Sequence, residues 1–286
     1  MAEPAEPSAA PSLPTPSLPA PSLPAPSLPA LSLSALSLSA GSVLELTPDG
    51  VVRCAAEAGF PLAGVRFTDP RAQAPAVADA VRRTGVRLLD VEVVRLGPAG
   101  VTDADRRLAD TAAVLDAAFL LTVSEDPDEA RTTASVAALA EVLAGSATRI
   151  ALEPMAFTAV RSRAAAERIA RAVPGTVVLP DALHLHRMRE PLDAPWPAGL
   201  VGYAQLTDVG PAAHPGGTEL LAHEARHDRV PPGEGVLDLA GFLAALPAGV
   251  PLAVEVQSDV LAAEHAPLDR AVLLRKAASA VVTGGS

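Results

Sequence analysis

Residues 149–154 read RIALEP, an apolar run that takes up a carboxylate near its end. Three later stretches repeat this arrangement: TVVLPD at 176–181, LVGYAQLTD at 200–208 and LAVEV at 252–256. Short apolar runs of this length are typical of buried strands. Each run therefore predicts a strand with an oxygen-bearing side chain close to its carboxyl end.

Strands and helices alternate outward from these runs. The predicted strands are residues 33–39, 63–67, 86–96, 117–124, 148–154, 176–181, 200–208 and 251–257. The predicted helices are residues 47–58, 71–84, 103–116, 128–144, 160–172, 238–246 and 266–282, with a short one at 183–190. Eight such units over residues 34–286 match the length of about 250 residues that a (β/α)8 barrel needs. A doubly wound sheet also fits the alternation, but no G-x-G-x-x-G follows the first strand. The predicted fold class is α/β, a single (β/α)8 TIM barrel.

The first 32 residues differ from the rest in composition. The motif PSLP recurs at Pro11, Pro16, Pro21 and Pro26. Frequent proline prevents both helix formation and strand pairing. We therefore predict a disordered, Pro/Ala/Ser/Leu-rich tail over 1–32 and one barrel domain over 33–286.

Charge and composition exclude several classes of protein. A net charge of −11 repels phosphodiester backbones, which argues against a nucleic-acid partner. No apolar run reaches the roughly 18 residues that span a bilayer, and no Lys or Arg precedes Arg53, as a signal peptide would require. We expect a cytoplasmic protein with no membrane partner, and the sequence leaves a homo-oligomer open.

The oxygen-bearing side chains at the strand ends are the candidate site. Glu255 lies between Val254 and Val256, where an ionised carboxylate is costly unless it is paired or bound to a metal. One such glutamate would suggest an arginine partner. Four successive strands ending in Glu153, Asp181, Gln205 and Glu255 favour one shared divalent ion, because barrel strand ends converge on one face. An all-oxygen set suits Mn²⁺ or Mg²⁺ better than Zn²⁺.

These residues and their neighbours resemble a known family. The motifs are ALEPM at 151–155, DALHL at 181–185, QLTD at 205–208, EARH at 224–227, PGEG at 232–235 and VEV at 254–256. They are similar to the sugar phosphate isomerase/epimerase family, the xylose-isomerase-like barrels, over roughly residues 33–284.

The resemblance implies that Glu153, Asp181, Gln205 and Glu255 hold one divalent ion. It also implies that His184 contacts substrate and that Arg226 is a basic residue of the loop after the seventh strand. For His227, in the same predicted loop, substrate contact and a hydrogen bond that orders the loop are both open. His186 lies two residues from His184, so on a helix it points elsewhere. Glu92 and Arg95 end the third strand and are further candidates to line the pocket.

The family also implies a reaction. We expect Glu153 and Glu255 to be the catalytic acid and base in proton abstraction next to a carbonyl, through an enediolate. The expected enzyme is a metal-dependent isomerase or epimerase of a small sugar or polyol-like substrate. The alternative is a dehydratase of a cyclic polyol or shikimate-like acid, because such relatives carry Gln where epimerases carry His, as Gln205 does here. A non-catalytic barrel and an endonuclease IV-like enzyme are the remaining hypotheses; the net charge of −11 opposes the latter.

Overall fold

The computed structural model describes residue 1, residues 35–211 and residues 216–284. The predicted tail over 1–32 lies, apart from Met1, outside this range, as does the start of the first predicted strand. Among the described residues, no helix combines the length and the apolar character needed to cross a membrane.

Eight parallel strands form the central sheet. They are β1 (Leu36–Leu38), β2 (Leu62–Arg66), β3 (Arg87–Leu96), β4 (Phe119–Ser124), β5 (Arg149–Leu152), β6 (Thr176–Val178), β7 (Ala204–Leu206) and β10 (Leu252–Val254). Two further strands, β8 (Asp208–Val209) and β9 (Arg229–Val230), pair antiparallel outside the sheet. The order β6-β5-β4-β3-β2-β1-β10-β7 follows the chain around a ring, so only β6 and β7 remain to be joined.

The segment that leads into β7 makes this closure. The Val178 amide donates to the Leu200 carbonyl at 2.8 Å, and the Gln205 amide donates to the Pro180 carbonyl at 2.9 Å. Parallel bridges join Val178 to Val201 and Asp181 to Gln205. The sheet is therefore a closed TIM barrel, as predicted.

Helices cover the outside of the barrel. They are α1 (Pro48–Ala58), α2 (Pro70–Thr84), α3 (Asp103–Val114), α4 (Glu129–Val142), α5 (Arg163–Ala172), α6 (Ala182–Arg187), α7 (Thr218–His227), α8 (Leu239–Ala245), α9 (Asp259–Glu264) and α10 (Pro267–Gly284). Several begin at a side chain that accepts a backbone N–H of the first turn, as the capping box of Thr102 and Asp105 does for α3. Small and branched residues such as Ala55, Ala109 and Val136 are fully buried beneath them, which allows close packing of helices on strands.

The structure corrects three predictions. The segment with Arg226 and His227 is helix α7 and not a loop, because Leu221 and Ala225 share one buried face at helical spacing. Helix α9, which follows the last barrel strand, was also not predicted. The predicted strand 200–208 is interrupted, because Val201 makes an isolated bridge to β6, Ala204–Leu206 pairs with β10, and Asp208 pairs with β9 outside the barrel.

Three other strands end before the residues that the sequence placed in them. β5, β6 and β10 end at Leu152, Val178 and Val254. Glu153, Asp181 and Glu255 therefore lie just beyond the strands, on the loops at the carboxyl-terminal face of the barrel.

Candidate metal centre

Glu153 and Glu255 enter this face from β5 and β10, which β6 and β7 separate in the ring. Each directly follows a strand and is held by a hydrogen bond to the neighbouring strand. The Glu153 amide donates to the Thr122 carbonyl at 2.9 Å, and the Glu255 amide donates to the Leu206 carbonyl at 3.2 Å. The two residues are 1% and 5% exposed, so both carboxyl groups are withdrawn from bulk water.

Residues after β1 support Glu255 from behind. The Ser42 hydroxyl donates to the Val254 carbonyl at 3.0 Å and accepts from the Val256 amide at 2.8 Å. A Cβ on Gly41 would lie 2.5 Å from Oε1 of Glu255. Because that is closer than any real contact, residue 41 must be glycine for Glu255 to lie where it does.

Asp181 and His184 are positioned by the start of α6. Oδ1 of Asp181 accepts the His184 amide at 2.9 Å and so caps the helix. This capping bond places the His184 ring beside Glu153, with Nε2 of His184 3.7 Å from Oε1 of Glu153. Ligand atoms of Glu153, Asp181 and His184 all lie within 4.8 Å of one another, and all three residues are buried. His186 is only partly buried, as expected for the other side of the helix.

The sequence did not single out Arg229, which is the cation at the centre of the site. Its Nη1 donates to Oδ2 of Asp181 at 2.7 Å and to the Glu255 carbonyl at 3.3 Å, and it lies 3.9 Å from Oε2 of Glu255. The Ala225 carbonyl accepts from its Nε at 2.7 Å. Arg229 is 2% exposed, whereas the predicted Arg226 is exposed to solvent. The sequence did contain one indication of such a residue, because several buried carboxylates require a buried cation as a partner.

The site shifts the ionisation of its own groups. Burial, followed by repulsion from Glu255 and Asp181, raises the pKa of Glu153 well above its usual value. Burial and the neighbouring Glu92 and Asp181 also raise the pKa of Glu255, although Arg229 opposes them. Burial raises the pKa of Asp181 less than Arg229 and His184 lower it, so that this carboxyl ionises more readily than usual. Burial lowers the pKa of His184 to about 4, which leaves its ring neutral at pH 7.

Several buried polar atoms of the site have no hydrogen-bond partner among the described residues. They are Oε1 of Glu153, Nδ1 of His184 and Oε1 of Gln205. Gln205 is paired with Asp181 across the closure of the barrel. Such orphaned atoms are rare in folded proteins and call for an explanation such as a bound ion.

The net charge of the site also favours binding of a cation. Glu153, Asp181 and Glu255 are three carboxylates, and the guanidinium of Arg229 is buried among them. When all are ionised, two negative charges remain uncompensated, which is the charge of one divalent ion. Oxygen atoms and a neutral imidazole are suitable ligands for such an ion. The donor set therefore fits a metal, and the Glu153, Asp181 and His184 group can hold one.

A cavity of about 250 Å³ opens above these groups. Glu153, His184, Arg229 and Glu255 contribute to its walls near the barrel, and the remaining lining residues are Leu44, Arg66, Val93, Arg95, Leu121, Met155, Phe157, Ala225, Arg226, His227 and Gln257. The structure thus brings His184, Arg226 and His227 to one cavity. Nδ1 of His227 lies 3.1 Å from both carboxylate oxygens of Asp259. This hydrogen bond joins α7 to α9 at the edge of the cavity.

Glu92 and Arg95, the two pocket candidates from β3, differ in their relation to this cavity. Arg95 lines it. Glu92 is buried beneath it and binds Arg66, with 2.6 Å between Nη2 of Arg66 and Oε2 of Glu92. Glu92 therefore acts on the cavity through Arg66.

Comparison with known proteins gives a family and a set of similar folds. The sequence model of one family, described as xylose isomerase-like TIM barrel, matches residues 52–276. No curated protein matches the chain significantly.

Three solved structures illustrate the similarity. An IOLI protein with a bound zinc atom has a TM-score of 0.72 at 15% identity and covers 88% of this chain and 99% of its own. D-allulose 3-epimerase from Methylomonas sp., in complex with D-allulose, has a TM-score of 0.65 at 14% identity, with coverage of 89% and 98%. An AP endonuclease, family 2, from Brucella melitensis has a TM-score of 0.54 at 18% identity, with coverage of 79% and 93%. At these identities the similarity shows the fold alone.

Proposed function

The chain belongs to the xylose isomerase-like TIM barrel family, and within that family we propose that it is a metal-dependent isomerase or epimerase of a small sugar or polyol-like substrate. One observation carries this proposal. Two buried glutamates, Glu153 and Glu255, border the same cavity beside the metal-binding group. Two such groups can remove a proton from one face of a substrate carbon and return one to the opposite face, whereas transfer between adjacent carbons on one face needs only one of them.

Glu153 and Glu255 are proposed as the catalytic base and acid. Both carboxyl groups are buried and border the cavity, which supports their roles in taking a proton from the substrate and returning one to it. Arg229 donates to the Glu255 backbone carbonyl, and the Ser42 hydroxyl accepts from the next amide, that of Val256, so the backbone around Glu255 is fixed. The apolar walls, Met155 and Phe157, reduce access of water to the reacting carbon.

The proposed metal ligands are Glu153, Asp181, Gln205 and Glu255. The unpartnered amide oxygen of Gln205 supports its inclusion. When bound, a divalent ion would polarise a carbonyl group and stabilise the negative charge that develops as the adjacent carbon loses its proton. His184 is near enough to the carboxylates to be a ligand itself. The mainly oxygen set still favours Mn²⁺ or Mg²⁺, whereas this imidazole also suits Zn²⁺.

Three residues are proposed to bind the substrate. His184 lies nearest to the carboxylates, and Phe157 packs edge-on against its ring with 5.3 Å between the ring centroids. Arg226 and His227 lie at the mouth, on the last turn of α7. A small, hydroxyl-bearing substrate that fills the cavity would meet polar groups at both ends.

A dehydratase is the second candidate, and Gln205 is the observation that favours it. A neutral amide oxygen at this position leaves the metal more electrophilic than an imidazole would. Elimination needs one base and an acid at the departing hydroxyl. We propose that one glutamate is the base and that the other shares the acid role with His184, whose neutral ring lies beside Glu153. An endonuclease would use the same metal-binding group, but the net charge of −11 opposes binding of a phosphodiester backbone.

Solvent exchange distinguishes the two reactions. The protein, loaded with Mn²⁺, is incubated in D₂O with a panel of ketoses and cyclic polyols. Deuterium in a rearranged sugar is the expected result, whereas loss of water to give an absorbing enone supports the dehydratase. Glu153→Gln and Glu255→Gln should each reduce turnover by a factor of about 10² to 10⁴.

Glu141→Gln, at an exposed position of α4, is the matched control and should keep full activity. Absence of stoichiometric metal after reloading, or of any turnover across the panel, would contradict the proposed function.

A further inference from the structure

Three arginines surround the mouth of the cavity. Arg66 is the last residue of β2, Arg95 lies near the end of β3, and Arg226 lies in the last turn of α7. They reach one cavity from three separate elements. Its mouth is therefore cationic, while its floor carries the carboxylates of Glu153 and Glu255.

Arg66 is fixed in position by a buried acid. Nε and Nη2 of Arg66 donate to Oε2 of Glu92 at 3.1 and 2.6 Å. Oε1 of Glu92 in turn accepts from the Ser39 hydroxyl at 3.1 Å. The Arg66 side chain is 34% exposed, so part of its guanidinium is still open to the cavity. A cation held in this way needs little reorganisation when a ligand arrives.

The other two arginines are poorly neutralised. Arg226 makes no ion pair with any carboxylate of the described residues, and its guanidinium lies 5.5 Å from the centre of the Phe157 ring. Arg95 has one acidic neighbour, Glu125, with 3.8 Å between Nη1 and Oε1 and with both side chains largely exposed. Exposed pairs of this kind contribute little.

The arginines are also close enough to repel one another. Partial burial lowers the pKa of Arg95, and Arg226 and Arg66 lower it further, against the opposing effect of Glu125. Glu153, at the inner end of the cavity, offsets this repulsion in part, and an anion bound beside Arg95 and Arg226 would relieve the rest. The net charge of the chain is −11, and the resulting field repels anionic ligands. The arginines at this mouth make the local potential positive instead.

We infer that the substrate carries an oxyanion, a carboxylate or a phosphate group, which Arg95 and Arg226 bind with the help of Arg66. This inference rests on the proposed function and specifies its substrate class. Guanidinium groups suit both anions, because their N–H groups match two oxygens at once. With the anion at the mouth, the hydroxyl and carbonyl end of a short substrate lies toward Glu153 and Glu255. A cavity of about 250 Å³ accommodates only a small substrate of this kind.

Three ligands with the same three-carbon backbone test this assignment. Binding of glycerate, glycerol 3-phosphate and neutral glycerol to the full chain, with its metal content measured, is followed by calorimetry. We expect at least one anion to bind tenfold or more tightly than glycerol. Tighter glycerate binding identifies a carboxylate substrate, and tighter glycerol 3-phosphate binding identifies a phosphorylated one.

Substitutions test whether Arg95 and Arg226 bind the anion. Arg95→Gln and Arg226→Gln should each weaken the preferred anion by about tenfold and leave glycerol unchanged. Arg106→Gln removes the same charge from an exposed position of α3 that does not line the cavity, and it should change nothing. Equal binding of all three ligands, or equal effects of the three variants, would overturn the inference.

The outcomes separate this inference from the proposed function. Anion binding that depends on Arg95 and Arg226, without turnover of any substrate, supports the anion site and contradicts the proposed reaction. Turnover of neutral ketoses that neither glycerate nor glycerol 3-phosphate inhibits supports the reaction and contradicts the anion site.

Discussion

Nη1 of Arg229 donates to Oδ2 of Asp181 at 2.7 Å, and the two side chains are 3% and 0% exposed. The pair joins β9, outside the barrel, to the loop after β6. It keeps one carboxylate of the candidate metal centre ionised, because this guanidinium contributes to lowering the pKa of Asp181. The buried ion pair therefore couples the placement of β9 to the charge of the site.

Removal of this arginine should be costly. Arg229→Met leaves Asp181 buried without its cation, and breaking a buried pair in this way costs about 3–5 kcal/mol of unfolding free energy. Added Mn²⁺ should restore part of the loss, because it supplies the missing positive charge. Urea unfolding with and without Mn²⁺ measures both effects. Arg168→Met, which breaks an exposed pair with Glu129, should cost at most about 1 kcal/mol; equal losses for the two variants would refute the coupling.

The two histidines of α6 should differ in their effect. His184 is buried among the proposed ligands, whereas His186 is partly exposed. We expect His184→Ala to lower both Mn²⁺ affinity and turnover by at least tenfold, and His186→Ala to change each by less than about threefold. Metal titration and steady-state kinetics provide the measurements. Comparable losses in both variants would mean that the site does not use this face of α6.

Gly41 offers a test of how precisely Glu255 must be placed. Gly41→Ala puts a Cβ 2.5 Å from Oε1 of Glu255 and should displace that carboxylate. A shift of about 1 Å at a reacting group can reduce turnover by about 10²-fold. Gly97→Ala is the matched control, because a Cβ there meets nothing within 4 Å. Kinetics and thermal unfolding of both variants distinguish a positioning effect, in which kcat falls more than stability, from general damage.

Asp90 should make stability depend on pH. Burial, followed by repulsion from Glu92 and Glu255, raises the pKa of Asp90 well above its usual value, and its Oδ1 has no hydrogen-bond partner among the described residues. At pH values between the unfolded and folded pKa, the folded state holds a proton that the unfolded state has lost. The contribution of Asp90 to the free energy of unfolding is therefore fully present below its pKa in the unfolded chain, near 4. It is lost as the pH rises toward the pKa in the folded protein.

Asp90→Asn removes this titration. The variant should gain stability relative to the wild type as the pH rises from 4 to 9, measured by urea unfolding at each pH. Asp110→Asn, at an exposed position of α3, should show no such trend. A constant difference between Asp90→Asn and the wild type at all pH values would show that Asp90 ionises normally.

Much of the architecture follows from local pattern. Apolar runs of strand length that alternate with helical stretches predicted an α/β fold, because such runs are buried between a sheet and its helices. The oxygen-bearing side chains at four strand ends, the absence of G-x-G-x-x-G and the family resemblance then favoured the barrel over a doubly wound sheet. Helix α7 was missed, since the Gly- and Pro-rich residues just before it suggest a loop and only its contacts reveal the buried face of Leu221 and Ala225.

The residues of the candidate site likewise include some that the sequence predicted and some that only the structure revealed. Glu153, Asp181 and Glu255 could be chosen from the sequence, because a carboxylate that follows a barrel strand must lie at the carboxyl-terminal face. Arg229 could not be chosen, since it meets Asp181 across 48 positions of chain. The shared cavity of Arg66, Arg95 and Arg226 likewise exists only because three distant elements close on one another. Local sequence sets which side chains point out of a strand end, but contacts between distant segments depend on the path of the whole chain, and the folded barrel alone specifies them.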